Sequence, residues 1–203
     1  HAEAEIEFDA DNPWSLGVWA RADNSLGCVL SKIKPADNRR GLEVICQKGR
    51  FQINLVHRWG VSALEAVTAE QLPGRTWHHL VVSYDGSRKA TGLNVFINGR
   101  PAAINIQRDT LDGSLLNAEP LRIARRDSGL GFYGQLDELR VLQRSVTLRE
   151  VEDWFWSERL GGILALPPGQ RSAADRELLL DYYVDHYADA ASRTPRERQG
   201  ALL

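Results

Sequence analysis

The sequence predicts an all-β fold, an antiparallel sandwich or barrel, on three observations. Apolar residues recur with period two from Trp14 to Val141, turn residues interrupt them at short intervals, and a helical period begins only at position 147. Alternation of this kind arises because successive strand side chains point to opposite faces, so a strand with one face on a core reads apolar then polar. The 203 residues suit one large β domain or two small ones, with enough chain to bury a sizeable core.

Taken in order, strands are predicted near 13–21, 26–33, 41–47, 50–58, 61–68, 77–84, 92–98, 100–105, 120–125 and 132–143. Lys48-Gly49-Arg50, Asp85-Gly86 and Asn98-Gly99 separate them, and Asn-Gly or Asp-Gly accepts the positive φ that a tight hairpin demands. Phe51, Ile53 and Leu55 alternate with Gln52 and Asn54, as on a half-buried strand. Thr147-Leu148-Arg149-Glu150 forms a capping box that opens a short helix with Leu148, Val151, Trp154 and Phe155 on one stripe. Gly161-Gly162 and Pro167-Pro168-Gly169 are expected to break the chain before a second cap at Ser172 and Asp175. The helix after that cap repeats Leu179, Tyr183 and Tyr187 at four-residue spacing, and the charged tail from Ser192 is expected to fray.

Composition narrows the function classes. With 25 Lys+Arg against 27 Asp+Glu the chain carries a net charge of −2, without the basic surplus that phosphate-backbone binding requires. Nucleic acid is therefore not an expected partner. The longest apolar run, residues 161–166, is far below the ~20 residues that span a bilayer, so no membrane span is expected in this chain. Met is absent even from position 1, which reads as a processed form or an excised fragment. Two cysteines, Cys28 and Cys46, exclude a disulfide-dense scaffold and a thiolate zinc cage. They read either as buried free thiols or as a cross-strand disulfide, because a hairpin looping through 33–41 places them at similar distances from its middle.

Four segments carry a family resemblance. They are Trp14-Ser15-Leu16-Gly17-Val18-Trp19, the run from Trp77 to Gly86 reading WHHLVVSYDG, Val95-Phe96-Ile97-Asn98-Gly99, and the run from Phe132 to Val141 reading FYGQLDELRV. In this order, and followed by Val146 to Val151 at a helix start, they resemble the motifs of laminin-G-like domains of the concanavalin A-like lectin/glucanase superfamily. The resemblance implies a two-sheet antiparallel jelly-roll sandwich over 1–157, with a short helix after the last strand. Residues 158–203 would then be a linker and C-terminal helix leading to a neighbouring domain. A narrower resemblance, on Ser31-Lys32, Arg40-Gly41, the run from Leu55 to Trp59, Asp109-Thr110-Leu111, Arg125-Arg126 and the stretch from Leu178 to His186, is to the laminin-G-like insert of planctomycete multidomain proteins with a cytochrome-c-type domain. It implies an exported parent whose haem lies elsewhere, because no Cys-x-x-Cys-His occurs here, and an extracellular, periplasmic or cell-envelope location.

The fold also houses glycoside hydrolases, so it is the residues that separate an enzyme from a binding module. Laminarinase-like enzymes of this fold place their carboxylates as Glu-x-Asp-x-(x)-Glu on one strand face, and that motif is absent. Glu3, Glu5 and Glu7 imitate its alternation but have no aromatic subsites around them, and Asp137-Glu138 should point to opposite faces. Counting by twos from Leu139 and Val141 puts Asp137 on the inward face, where a buried carboxylate needs hydrogen bonds or a cation. In related sandwiches the matching Asp helps hold a structural Ca²⁺, and Glu5, Glu7 or Asp9 would supply the second carboxylate. Arg40, His57, Arg58 and Trp59 are the candidate ligand surface, since aromatic faces stack on sugar rings and guanidinium groups clasp anions. Core packing is the competing reading for His57 and Trp59, which continue the Phe51, Ile53, Leu55 face. His78 and His79 point to opposite faces, which argues against a two-His metal site on that strand.

The function expected from these readings is a non-catalytic recognition module of a larger exported protein, with a glycan as candidate ligand. The alternatives are a structural domain docking on its parent through Trp154, Phe155 and the tyrosine-rich helix, or a glycoside hydrolase with facing carboxylates in a cleft.

Overall fold

The computed structural model describes residues 6–23, 25–127 and 129–188. Among them are eleven strands: β1 (Trp14–Ala22), β2 (Gly27–Lys34), β3 (Arg40–Gln47), β4 (Arg50–Arg58), β5 (Ser62–Thr68), β6 (His78–Tyr84), β7 (Leu93–Ile97), β8 (Arg100–Pro101), β9 (Ile104–Asp109), β10 (Arg122–Ile123) and β11 (Gly134–Leu142). They form two antiparallel sheets, one in the order β11-β1-β6-β7-β8 and one in the order β10-β2-β3-β4-β5-β9. The fold is the all-β jelly-roll sandwich that the alternation and the resemblance predicted. Residues 1–5 and the tail from 189 onward, including Glu3, Glu5 and Ser192, lie outside the described residues.

The turn chemistry explains the hairpins. Lys48 and Gly49 have φ of 51° and 71°, and Asn98 and Gly99 have 53° and 80°, the paired left-handed geometry whose twist matches the flanking strands. A Cβ at Gly49 would collide with the Leu72 carbonyl, so this position needs glycine for space as well as for φ. Asp85-Gly86 behaves differently: Tyr84 pairs with Leu93, and the residues between them make a wider loop in which the Asp85 carboxylate accepts from the Ser87 N–H at 2.8 Å.

Between the sheets, Leu16 and Val18 of β1, Ile53 and Leu55 of β4 and Leu64 of β5 are fully buried, each stabilising the fold by roughly 1.5–3 kcal/mol. Phe8 packs edge-on against Trp14, with ring centroids 5.3 Å apart. The buried Tyr84 hydroxyl donates to the Ala10 carbonyl at 2.8 Å and accepts from the Arg88 N–H at 2.6 Å, and burial pushes its pKa up to about 12.

Register shifts interrupt four of the described strand pairs, and three of them bear on residues read from the period-two pattern. In the first, Leu30 faces Val44 but Cys28 faces Ile45, so Val29 is an extra residue in β2. Without it Cys28 would lie opposite Cys46; with it the two thiols fall on opposite faces of the sheet. Both are buried free thiols, and their placement on opposite faces argues against the disulfide alternative; burial pushes their pKa values up to about 12 and about 11 respectively. The second bulge lies at His57, between the pairs Val56–Ala63 and Arg58–Ser62.

The third bulge corrects the placement of Asp137. Gly17 faces Arg140 while Trp19 faces Asp137, and Glu138 takes a φ of 49°. Leu136, Leu139 and Val141 pack on the core, so the extra residue breaks the count by twos and turns Asp137 to the outer face, where it is exposed.

The contacts divide the chain into a unit ending at Glu152 and a unit beginning at Asp153, within helix α1 (Leu148–Ala165), where the sequence pattern set the division after residue 157. The Thr147 hydroxyl accepts from the Glu150 N–H at 3.3 Å and Glu150 accepts from the Thr147 N–H at 2.9 Å, completing the expected capping box. The hydrogen bond from Arg144, then those from Thr147, hold Glu150 down at about 2. Helix α1 runs on through Gly161-Gly162 to Ala165, contrary to the expected break, because a glycine costs a helix only about 1 kcal/mol whereas the prolines at 167 and 168 stop it. Helix α2 (Ala173–His186) starts at the predicted Ser172–Asp175 box. Within the second unit the Trp156 ring lies 5.2 Å from Tyr182 and 5.9 Å from His186. No described helix is long and apolar enough to cross a membrane.

Candidate functional site on the outer face of the six-stranded sheet

Alternation along the central strands of this sheet sends Leu42, Val44 and Cys46 of β3 and Phe51, Ile53 and Leu55 of β4 inward. The residues between them point away from the partner sheet. The register aligns these outward residues into a polar row across five strands: Ser31 faces Glu43, Glu43 faces Asn54, Asn54 faces Glu65, and Glu65 faces Arg108.

Glu43 is the centre of the row. Its side chain is only 1% exposed, yet it accepts from Arg126 Nε at 2.7 Å, Arg39 Nη2 at 3.2 Å and Asn54 Nδ2 at 2.9 Å. A carboxylate this deep is tolerable because guanidinium and amide donors replace its lost water. Ser31 ties the same Arg126 segment down by donating to the Arg125 and Arg126 carbonyls. Gln52 Nε2 donates to Asn54 Oδ1 at 2.9 Å, and Arg108 Nε pairs with Glu65 at 3.2 Å.

Beside this row, at the β3–β4 hairpin, lies an open depression of about 530 Å³ lined by Gln47, Lys48, Arg50, Gln52, Val67 and Gln71. Its volume falls in the ~300–1,000 Å³ range of small-molecule sites. Arg50 Nη1 donates to the Thr68 carbonyl at 2.9 Å and to that of Ala69, which fixes one wall, and the Leu72 N–H donates to the Gly49 carbonyl at 2.8 Å, which fixes the turn.

The other end of β4 carries the residues singled out from the sequence. Gly41 faces Val56, so Arg40 and His57 lie at the same end of the sheet, but their side chains do separate work. Arg40 pairs with Asp37 at 3.1 Å. The His57 ring packs against Gly113, where a Cβ would collide with it, and its Nδ1 donates to the Ser114 carbonyl at 2.8 Å. Trp59 sits beyond the bulge in the turn, 41% exposed, with the Arg39 guanidinium 4.2 Å over its ring. The core reading therefore fits His57 in part and does not fit Trp59. Arg58 is exposed; the Ser62 hydroxyl first, then the charges of His57 and Arg58, hold Asp112 below the ordinary carboxylate range.

The carboxylates proposed for a metal are not brought together among the described residues. Asp137 is exposed, its Oδ1 accepting from the Glu138 N–H at 2.9 Å, and Glu7 is exposed. Glu5 lies outside the described residues. Asp9 Oδ1 instead accepts from Ala10, Ser114 and Leu115 at 2.7, 2.8 and 2.8 Å, stitching the 114–115 segment to the N-terminal one. Among the described residues no three His, Cys, Asp or Glu side chains gather into a metal-binding group. His78 and His79 point to opposite faces: the first meets the Pro73 carbonyl at 3.1 Å, and the second packs at a tilt against Trp19, ring centroids 5.1 Å apart.

The sequence reading missed the two carboxylates that do share a sheet face. Glu43 and Glu65 flank Asn54, two strand spacings or about 9.5 Å apart along the sheet, close to the separation of an inverting glycosidase pair. Their chemistry is unsuited to that role. Glu43 is covered and clasped by two guanidinium groups, and Glu65 is paired with Arg108, so neither stands ready as a proton donor to a leaving group.

A family model described as the concanavalin A-like lectin/glucanases superfamily matches residues 2–152. Among solved structures, the binding domain of Paraclostridial mosquitocidal protein 1 is similar at 14% identity and a TM-score of 0.55, over 74% of this chain and 38% of that one. The binding domain of botulinum neurotoxin DC in complex with rat synaptotagmin II is similar at 11% and 0.52, over 72% and 36%. The Ruminococcus gnavus IT-sialidase CBM40 bound to alpha2,3 sialyllactose is similar at 14% and 0.55, over 71% and 82%. The chain thus spans well under half of the two toxin-domain chains, and at these identities the likeness is one of fold. No curated protein matches the sequence.

Proposed function

The chain belongs to the concanavalin A-like lectin/glucanase superfamily, and from that premise we propose that it is a non-catalytic binding module whose ligand is a saccharide held on the outer face of the six-stranded sheet. The observation that carries this reading is the open depression of about 530 Å³ at the β3–β4 hairpin, walled by three carboxamides and two cations, of which Gln47, Arg50 and Gln52 are set by the strand register. Carboxamides offer a donor and an acceptor side by side, which suits the vicinal hydroxyls of a sugar ring. The neighbours described as binding domains and the sialyllactose-bound module support the reading. Exposed Trp59, with Arg39 over it and Arg58 beside it, would extend the surface at the far end of β4. The narrower family resemblance supports an exported multidomain parent, with the sandwich presented outside the cytoplasm.

The test is a glycan-array screen of the wild type and of Gln52→Ala/Gln71→Ala, with folding checked by thermal unfolding. Saccharides bound by the wild type and lost by the folded variant are the expected result. A blank array, or binding that the variant keeps unchanged, overturns the reading.

A second reading, intramolecular docking through the helical unit, is favoured by the exposed rings of Tyr183 and Tyr187, stacked at 6.1 Å. Of the residues first assigned to that surface, Phe155 is buried. Tyr183→Ser/Tyr187→Ser in the full-length parent should release the helical unit to protease if this surface docks, and leave cleavage unchanged if it does not.

A further inference from the structure

We propose that the depression at the β3–β4 hairpin selects acidic saccharides, seating a sugar carboxylate between Lys48 and Arg50. The inference rests on the saccharide-binding reading and adds the charge class of the ligand. Gln47, Gln52 and Gln71 hydrogen-bond to hydroxyls without regard to ligand charge; the discriminating groups are the two cations, and no Asp or Glu lines the depression.

The surrounding charges point the same way. Glu43 is clasped by Arg39 and Arg126, and Glu65 by Arg108, so the carboxylates on this face are already matched by guanidinium groups. Glu70, exposed beside Gln71, is the nearest carboxylate along the chain. The chain as a whole carries a net charge of −2, so the positive surplus on this face is local rather than a property of the whole surface.

Arg50 is held in place before any ligand arrives, and the backbone that carries Lys48 is fixed. Lys48 projects from a two-residue turn whose backbone is fixed by its own φ of 51° and by the Leu72-to-Gly49 hydrogen bond. Arg50 is pinned through Nη1 to the Thr68 and Ala69 carbonyls, which leaves Nε and Nη2 of the planar fork to meet a carboxylate. Prior fixation lowers the ordering cost of binding, and a carboxylate between two cations is recognised more strongly than a hydroxyl at the same position.

The experiment is isothermal titration of the wild type, Lys48→Gln and Lys48→Glu with trigalacturonate and with neutral galactotriose, at low and high salt. The expected result is that the wild type binds trigalacturonate at least tenfold more tightly than galactotriose and loses most of that margin at high salt. Lys48→Gln should weaken trigalacturonate at least fivefold with an unchanged unfolding midpoint, and Lys48→Glu should abolish its binding. Equal affinity for the two trisaccharides overturns the acidic preference and leaves the saccharide-binding reading standing, as does an array positive only for neutral saccharides. The salt dependence of the wild type decides the matter should a variant fail to fold. A blank array together with no titration signal removes both readings.

Discussion

The two sheets turn different outer faces away from the core. On the five-stranded sheet the outward Ser15, His79, Val81, Ser83 and Phe96 are buried, Trp19 is half-buried and Asn94 is exposed, and the burial of His79, with the nearby Arg140 charge, lowers its pKa to about 4. On the six-stranded sheet the outward Ser31, Glu43 and Asn54 are buried as well, but they belong to a hydrogen-bonded row that runs out to the half-buried Glu65–Arg108 pair, beside an open depression. One face is therefore closed at its centre, and the other opens into a depression. Strand alternation alone cannot produce that difference, because both faces are outward; it comes from which residues the register sets side by side.

Four changes would break or sharpen this contrast. The largest effect concerns Cys28, an outward residue of the six-stranded sheet that is nevertheless buried away from the open part of its face. With its thiol raised from 9.0 to about 12, its thiolate fraction at pH 8 should be about a thousandfold below that of an ordinary cysteine. Native protein should resist alkylation at both cysteines and take up two labels after unfolding; rapid labelling of Cys28 in the native state would open that part of the face.

Next, Glu43→Ala strips the anion from beneath Arg39 and Arg126, and should destabilise the fold by about 3 kcal/mol in urea unfolding. A loss below about 1 kcal/mol would mean that the row is decoration rather than an anchor.

The buried imidazole on the other face gives a pH test of nearly the same size. Because His79 is held neutral, the unfolded chain takes up its proton below about pH 6.5 while the folded one waits until about pH 4. Stability is therefore complete above pH 6.5 and falls by about 3 kcal/mol between pH 6.5 and 4 on this account. His79→Phe, which keeps a ring against Trp19, should flatten that part of the profile; an unchanged slope would place the titrating group elsewhere.

The smallest effect is at Asp137, exposed on its bulge. Asp137→Ala should change stability by less than about 0.5 kcal/mol, and the unfolding midpoint should be the same in Ca²⁺ and in EDTA. A calcium-dependent rise lost in the variant would restore the metal reading.

Much of the fold was legible because local chemistry dictated it. Lys48-Gly49 and Asn98-Gly99 announce hairpins by the φ they tolerate, and Thr147 to Glu150 and Ser172 to Asp175 announce helix starts by the N–H groups they satisfy. The bulges at Val29, His57 and Glu138 were not legible, since one inserted residue leaves composition untouched while reversing the facing of what precedes it. That is why the period-two count points Asp137 inward and leaves Cys28 as a candidate partner for Cys46. The candidate site was legible only in fragments. Gln52 and Asn54 declare themselves outward, but their meeting with Glu43, Glu65, Arg108 and Arg126 depends on pairing between strands far apart in sequence. Trp59 and Arg40 were identified as surface candidates from residue type, yet the cation over Trp59 is Arg39, placed there by the loop between β2 and β3.

The most direct test of the contrast between the two faces is amide chemical-shift mapping of the wild type titrated with trigalacturonate. The account predicts shifts clustered at Gln47, Lys48, Gln52, Val67 and Gln71, with Val81 and Phe96 unmoved. Shifts centred on the five-stranded sheet or on the helices would contradict it.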